Sequence, residues 1–130
     1  MNLEKYMTRI PLVFSVDDDE SVRDAFTLAL VDDNYRVKGF ATGAEALEAA
    51  KEERPDLVFL DLNMPGMDGT VVLAELAKID PGIRVYIVTA FAEQYMEKLR
   101  EARNQGLSFQ IASKPISDEQ IRLIAASTLG

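Results

Sequence analysis

Strand-like and helix-like patterns alternate five times along this chain, and that alternation admits few architectures. The strand-like runs are Leu12-Val13-Phe14-Ser15-Val16, Tyr35-Arg36-Val37-Lys38-Gly39-Phe40, Leu57-Val58-Phe59-Leu60, Val85-Tyr86-Ile87-Val88 and Phe109-Gln110-Ile111-Ala112-Ser113. After the first, Val22, Ala25, Phe26, Ala29 and Leu30 fall at helical spacing. Thr42-Gly43-Ala44-Glu45 reads as a capping box opening a second helix that reaches about Glu53, ahead of Pro55. Val72, Leu73, Leu76 and Ile79 mark a third helix, ending near Pro81-Gly82. Tyr95, Met96, Leu99 and Ala102 mark a fourth that stops at Gly106, with a longer loop or a lengthened helix expected before the last strand. A second capping box, Ser117-Asp118-Glu119-Gln120, opens a fifth, with Ile121, Ile124, Ala125 and Thr128 facing inward.

Polarity orders the strands. The first, third and fourth are nearly all apolar, as strands covered on both faces must be, whereas Arg36, Lys38 and Gln110 suit the second and fifth to sheet edges. Right-handed crossovers then favour a parallel sheet of order 2-1-3-4-5, the order known in flavodoxin and the chemotaxis protein CheY. The expected fold is α/β: a doubly wound (βα)5, flavodoxin-like three-layer sandwich. It forms one domain with a core of about 10–128 and residues 1–9 as an N-terminal extension.

Composition removes several chemistries. A net charge of −8 and the lack of any basic block argue against direct nucleic-acid binding. With no cysteine and no histidine, thiol nucleophiles, thiolate or imidazole metal sites and a phosphohistidine acceptor are excluded. The apolar stretch Ile10 to Val16 is too short for a signal peptide and runs into Asp17, Asp18, Asp19 and Glu20. No stretch approaches the ~20 apolar residues of a membrane span, so a cytoplasmic protein without membrane contact is expected.

Ligands of open α/β sheets bind at the carboxyl ends of the strands. Those ends carry Asp17 and Asp18, then Asp61, Thr89 and Lys114. Taken singly, each has an ordinary explanation as a helix-start acid, a turn former, a β-branched residue or an exposed lysine. Together, on four consecutive strands of the expected sheet, they suit a divalent metal and a phosphoryl group. Neighbouring strands lie ~4.8 Å apart, which crowds the three acids and calls for a cation between them. An all-oxygen donor set favours Mg2+. Asp61 then stands beside a Lewis acid as a nucleophile, and Thr89 can donate to a phosphoryl oxygen. Lys114, about 10 Å from Asp61 along the sheet, can close the gap with its long stem. Met64 and Met67 read as packing residues.

From Ile10 to Thr128 the chain resembles the receiver domains of bacterial two-component response regulators. The resemblance rests on Val16-Asp17-Asp18-Asp19-Glu20, Leu60-Asp61-Leu62-Asn63-Met64-Pro65-Gly66-Met67-Asp68-Gly69, Val88-Thr89-Ala90 and Lys114-Pro115. It implies that Asp61 is the phospho-acceptor. It implies Mg2+ held by Asp18 and Asp61 side chains and the Asn63 backbone carbonyl, with Asp17 acting largely through water. It further implies that Thr89 and Lys114 contact the phosphoryl oxygens, that Ala90 leaves room for them, and that the Lys114–Pro115 peptide is often cis. One departure is Ile111, where many receivers carry Tyr or Phe three residues before the lysine.

The expected function is a phosphorylatable switch of a phosphorelay and not a turnover enzyme. It takes a phosphoryl group from a sensor histidine kinase or a histidine phosphotransfer protein and changes the surface of the fourth helix, fifth strand and fifth helix. That surface would meet a downstream protein or an output domain, for which the receiver pattern leaves no room within this sequence. Two alternatives compete. A haloacid-dehalogenase-like phosphohydrolase would place a second Asp where Asn63 stands and would need a cap. A phosphorylation-independent interaction module is favoured by Ile111 and disfavoured by the intact acid, hydroxyl and ammonium set.

Overall fold

The computed structural model describes residues 10–130, so the expected N-terminal extension lies outside the described residues. Five parallel strands form one sheet: β1 (Leu12–Val16), β2 (Arg36–Phe40), β3 (Leu57–Leu60), β4 (Arg84–Thr89) and β5 (Gln110–Ser113). Their order is β2-β1-β3-β4-β5, as edge polarity and right-handed crossovers require. The helices are α1 (Glu20–Leu30), α2 (Gly43–Glu52), α3 (Gly69–Ile79), α4 (Met96–Asn104) and α5 (Asp118–Leu129).

The two-residue period of a strand divides the core. Leu12, Phe14, Val16, Val58, Leu60, Val85 and Ile87 face α2, α3 and α4, meeting Ala46, Leu47, Leu73, Leu76 and Leu99. Val13, Leu57, Phe59 and Val88 face α1 and α5, meeting Phe26, Ala29, Leu30, Ile121 and Ala125. The result is the expected three-layer sandwich. Met64 is buried in the first of these layers and Met67 packs against it, so both are packing residues.

Helix ends follow local chemistry. At α5 the capping box is complete: the Gln120 N–H donates to Ser117 Oγ at 3.1 Å and Gln120 Oε1 accepts from the Ser117 N–H at 2.9 Å. At α2 only half of it forms, because Glu45 turns its carboxylate onto the Thr42 hydroxyl instead of the backbone. Gly106 ends α4 in a Schellman turn, the Leu107 N–H reaching Ala102 O at 3.0 Å and the Gly106 N–H reaching Arg103 O at 2.9 Å.

The stretch between Thr89 and Lys114 decides between a lengthened fourth helix and a longer loop around Asn104 to Ser108. It holds no long helix. A 3-10 turn, Ala92–Tyr95, precedes α4, which at nine residues is short. Met96 opens α4 as expected and stands 45% exposed, leaving Leu99 and Ala102 as the buried residues of α4.

Candidate functional site

Strand register places the chemistry. Val16 lies abreast of Leu60, Leu60 abreast of Ile87, and Thr89 abreast of Ser113. One residue past these pairs, the Asp61 N–H donates to Val16 O at 3.0 Å and the Lys114 N–H to Thr89 O at 3.1 Å. The parallel ladder thus continues just beyond the assigned strands and delivers Asp17, Asp61, Thr89 and Lys114 to one rim. Asp17, Asp61 and Thr89 are buried, while Asp18 is exposed at the mouth.

The acids meet as the sequence implied. Asp17, Asp18 and Asp61 each offer a carboxylate oxygen, all within 4.8 Å of one another. Lys114 closes the gap from β5: its Nζ lies 2.6 Å from Asp17 Oδ2 and 3.5 Å from Asp61 Oδ2. Asp17 Oδ1 accepts from the Asp19 N–H at 3.0 Å, and Asp61 Oδ1 from the Asn63 N–H at 3.3 Å. Three carboxylates against one bridging ammonium leave an excess of negative charge, which the Arg23 guanidinium on the Asp17 carbonyl offsets only in part. A divalent cation matches that excess, and with only oxygen donors a hard one is preferred. The chemistry of this donor set therefore fits Mg2+.

The electrostatics carry the same imprint. Burial pushes the Asp61 carboxyl above its ordinary range; the Lys114 ammonium draws it back and the Asp17 charge pushes it further up. For Lys114, burial works against the charged form. The hydrogen bond to Asp17 and the charges of Asp61 and Asp17 outweigh it, so its pKa lies above the usual lysine value.

The loop after Asp61 is held against it. A Cβ on Gly69 would come 2.6 Å from Leu62 Cα and 2.9 Å from Asp61 O, so only glycine lets α3 start this close to the acid. Asp68 caps α3 by accepting from the Thr70 N–H at 2.8 Å, and its other oxygen meets Lys98 Nζ of α4 at 2.6 Å. On the far side, Thr89 Oγ1 accepts from the Phe91 N–H at 3.1 Å, and Phe91 stands 44% exposed beside the site. Ala90 is exposed, and the Lys114–Pro115 peptide is cis. Ile111 is 38% exposed on edge strand β5, with Phe109 buried behind it on the same strand face.

Two contacts at this rim have no local signal in the sequence. Arg23 of α1 donates from Nη1 to the Asp17 carbonyl at 2.7 Å, and Lys98 reaches Asp68 across 30 positions of chain. Both are polar residues on amphipathic helices, where any long cation reads as solvated. The place of Arg23 on the turn immediately after the acids was the only available hint.

Comparison with known proteins follows the same residues. The model of the response regulator receiver domain matches residues 13–126. The chain belongs to the response-regulator receiver family. This receiver is 36% identical over 110 residues to sporulation initiation phosphotransferase F of Bacillus subtilis (strain 168), covering 85% of this chain and 86% of that protein. It is 35% identical over 114 residues to the DNA-binding transcriptional regulator NtrC of Escherichia coli (strain K12), covering 87% of this chain but only 24% of that regulator. Among solved structures, a CheY-like response regulator receiver domain protein from Methanospirillum hungatei JF-1 superposes with a TM-score of 0.83 at 27% identity, covering 92% of this chain and 94% of that one. Receivers are signalling switches of two-component systems and not classical enzymes, and the acidic rim of this one is their characteristic pocket.

Proposed function

We propose that this receiver accepts a phosphoryl group on Asp61 from phosphohistidine and uses Mg2+ to do so. One observation carries the reading: three carboxylates from two strands converge within 4.8 Å while a single ammonium bridges two of them. Asp18 and Asp61 would hold the cation through their side chains and Asn63 through its backbone carbonyl, with Asp17 acting largely through water. Bound there, Mg2+ would supply a Lewis acid that draws charge from the phosphoryl oxygens.

The chain supplies the rest. An Asp61 carboxylate oxygen attacks phosphorus in line, forming a P–O bond as the P–N bond breaks. The electron pair of that bond leaves with the imidazole nitrogen of the donor. Lys114, already shared between Asp17 and Asp61, needs only a small swing to reach a phosphoryl oxygen. Thr89 accepts one hydrogen bond from Phe91, which leaves its own hydroxyl proton to donate to a second. Ala90, lacking bulk, keeps that approach open. Loss of the phosphoryl group would use the same residues with water as attacker, so the protein assists its own modification without turning over a substrate.

The aspartyl phosphate would bias a two-state equilibrium read out on α4, β5 and α5. The donor is a sensor histidine kinase or a histidine phosphotransfer protein in the cytoplasm. The receiver of residues 10–128 would pass the signal to a downstream protein or output domain. Among the described residues no helix is long and apolar enough to cross a membrane. DNA binding belongs to the NtrC relative by name, and a net charge of −8 disfavours it here.

Intact-mass measurement after incubation with acetyl phosphate tests the proposal. The wild type should gain one phosphoryl group with Mg2+ present and fail to gain it in EDTA. Asp61→Asn should gain none, and a phosphoryl group found on another residue of that variant would refute the assignment. The exposed Ile111 favours a second reading, an interaction module that needs no phosphorylation. Failure of the wild type to bind beryllofluoride with Mg2+ would support that module instead.

A further inference from the structure

We infer that Arg23 is a positioning residue for the cation site: it fixes the peptide between Asp17 and Asp18 from a slot that Gly39 leaves open. The inference rests on the reading of the acidic rim as a cation site.

Asp18 is the one exposed acid of the cluster, and among the described residues nothing donates a hydrogen bond to its carboxylate. Its direction is therefore set by the main chain that carries it. That main chain has just left β1 and has no ladder partner of its own beyond one bond, the Asp17 N–H to Phe40 O at 3.1 Å. The Asp17 side chain is held separately, by the Asp19 N–H at one oxygen and Lys114 at the other. What remains is the Asp17–Asp18 peptide itself. Its carbonyl is gripped by Arg23 Nη1 at 2.7 Å, within normal hydrogen-bond range. Because a peptide group is planar, fixing that oxygen fixes where the chain emerges at Asp18.

The grip depends on β2. Gly39 lies abreast of Ser15 on the sheet face that α1 covers. A Cβ placed on Gly39 would lie 3.3 Å from Arg23 Cδ and 3.5 Å from Arg23 Cβ. The aliphatic stem of Arg23 thus runs over the bare backbone of Gly39: a single Cβ there asks the stem to give by a few tenths of an ångström, and a branched side chain crowds it further. Arg23 acts through the backbone and touches neither a carboxylate nor the cation.

A guanidinium near the acids has a second, opposing effect, since its charge repels a cation. The two roles predict opposite signs. If Arg23 merely contributes charge, removing it tightens Mg2+ binding; if it positions Asp18, removing it weakens binding. Outer partners that orient metal ligands typically contribute 10–100-fold in affinity.

The experiment is calorimetric titration of the full chain with MgCl2 alone, alongside thermal melts of the metal-free protein. Arg23→Ala should weaken Mg2+ binding by roughly tenfold. Arg23→Lys, which keeps a donor and the charge, should recover part of the loss. Gly39→Val should weaken binding while Arg23 is intact and add nothing further in Arg23→Ala, the non-additivity expected of two residues acting through one contact. Unchanged or tighter binding in Arg23→Ala, or additive losses in the double variant, would overturn the inference. If Arg23→Ala fails to melt cooperatively, Arg23→Lys and Gly39→Ala decide: full wild-type affinity in both overturns it. A wild type that binds no Mg2+ would instead refute the cation site itself.

Discussion

The two edges of the sheet are fastened by different means. At the β2 edge, beside the acids, Phe40 stacks edge-on against Phe14 with ring centroids 4.7 Å apart. Arg36 and Lys38 point outward and both pair with Glu53 at the end of α2. The helix behind them buries Ala46, Leu47 and Ala50. At the β5 edge, α4 buries only Leu99 and Ala102, and neither its first residue nor the turn before it has a side-chain cap. Polar contacts take the place of core there: Arg103 lies 4.4 Å from the centre of the Phe109 ring, and Lys98 pairs with Asp68. Local opening is governed by buried apolar contact, so the second edge is the one built to move. It is also the edge whose helix is tied to the loop that carries Asp61.

The largest test compares two leucines of similar burial. Leu47 is 8% exposed and Leu99 is 2% exposed, so side-chain burial alone ranks them alike. Leu47→Ala should cost about 2–5 kcal/mol of global stability, visible in denaturant melts. Leu99→Ala should act locally, accelerating amide exchange across α4 while the β1 and β3 amides keep their protection. Equal loss of sheet protection in both variants would erase the contrast between the edges.

A smaller effect is expected at Lys98. Its side chain is 57% exposed, so solvent screens the ion pair with Asp68 and leaves it weak. Lys98→Ala should speed exchange in the 3-10 turn and the first turn of α4 without altering the midpoint of unfolding much. Burial pushes the Asp68 carboxyl up, but the bonds from Lys98 and Thr70 overcome this and leave it below its ordinary value. A carboxylate depressed in the folded state contributes stability above its unfolded pKa and loses it as pH falls through the folded value. The protection that Lys98 confers on α4 should accordingly fade in acid, and protection unchanged there would contradict the tether.

The smallest effect belongs to the fixed edge. Hydrogen bonds from Arg36 and Lys38 lower the Glu53 carboxyl from 4.5 to about 2. Its contribution is whole above about pH 4.5 and disappears as pH falls toward 2. Glu53→Gln should melt slightly below the wild type at neutral pH, and the two curves should converge near the lower limit. A constant difference across that range would mean that the pairing contributes nothing.

Much of this was legible in the chain. Strand order followed from where charge interrupts apolar runs, as Arg36, Lys38 and Gln110 do, and the rim followed from what closes each run. The readable features were those in which neighbours in sequence share one element. Helical spacing correctly places Met96 and Leu99 in one helix, but spacing alone does not say that Met96, at the first position of α4, is left 45% exposed while Leu99 is covered. The grips of Arg23 and Lys98 were invisible for another reason. A long cation on a polar helix face has many possible partners, and only tertiary packing selects one.

Lys114 and Asp17 are 97 positions apart, yet they meet at 2.6 Å. During synthesis the acids at 17, 18 and 61 leave the ribosome well before the lysine does. Until β5 docks, their mutual repulsion lacks the ammonium that bridges Asp17 and Asp61, and solvent cations must make up the difference. A truncated product would keep every acid yet lack the one ammonium that spans two of them, so the rim is whole only once β5 is in place.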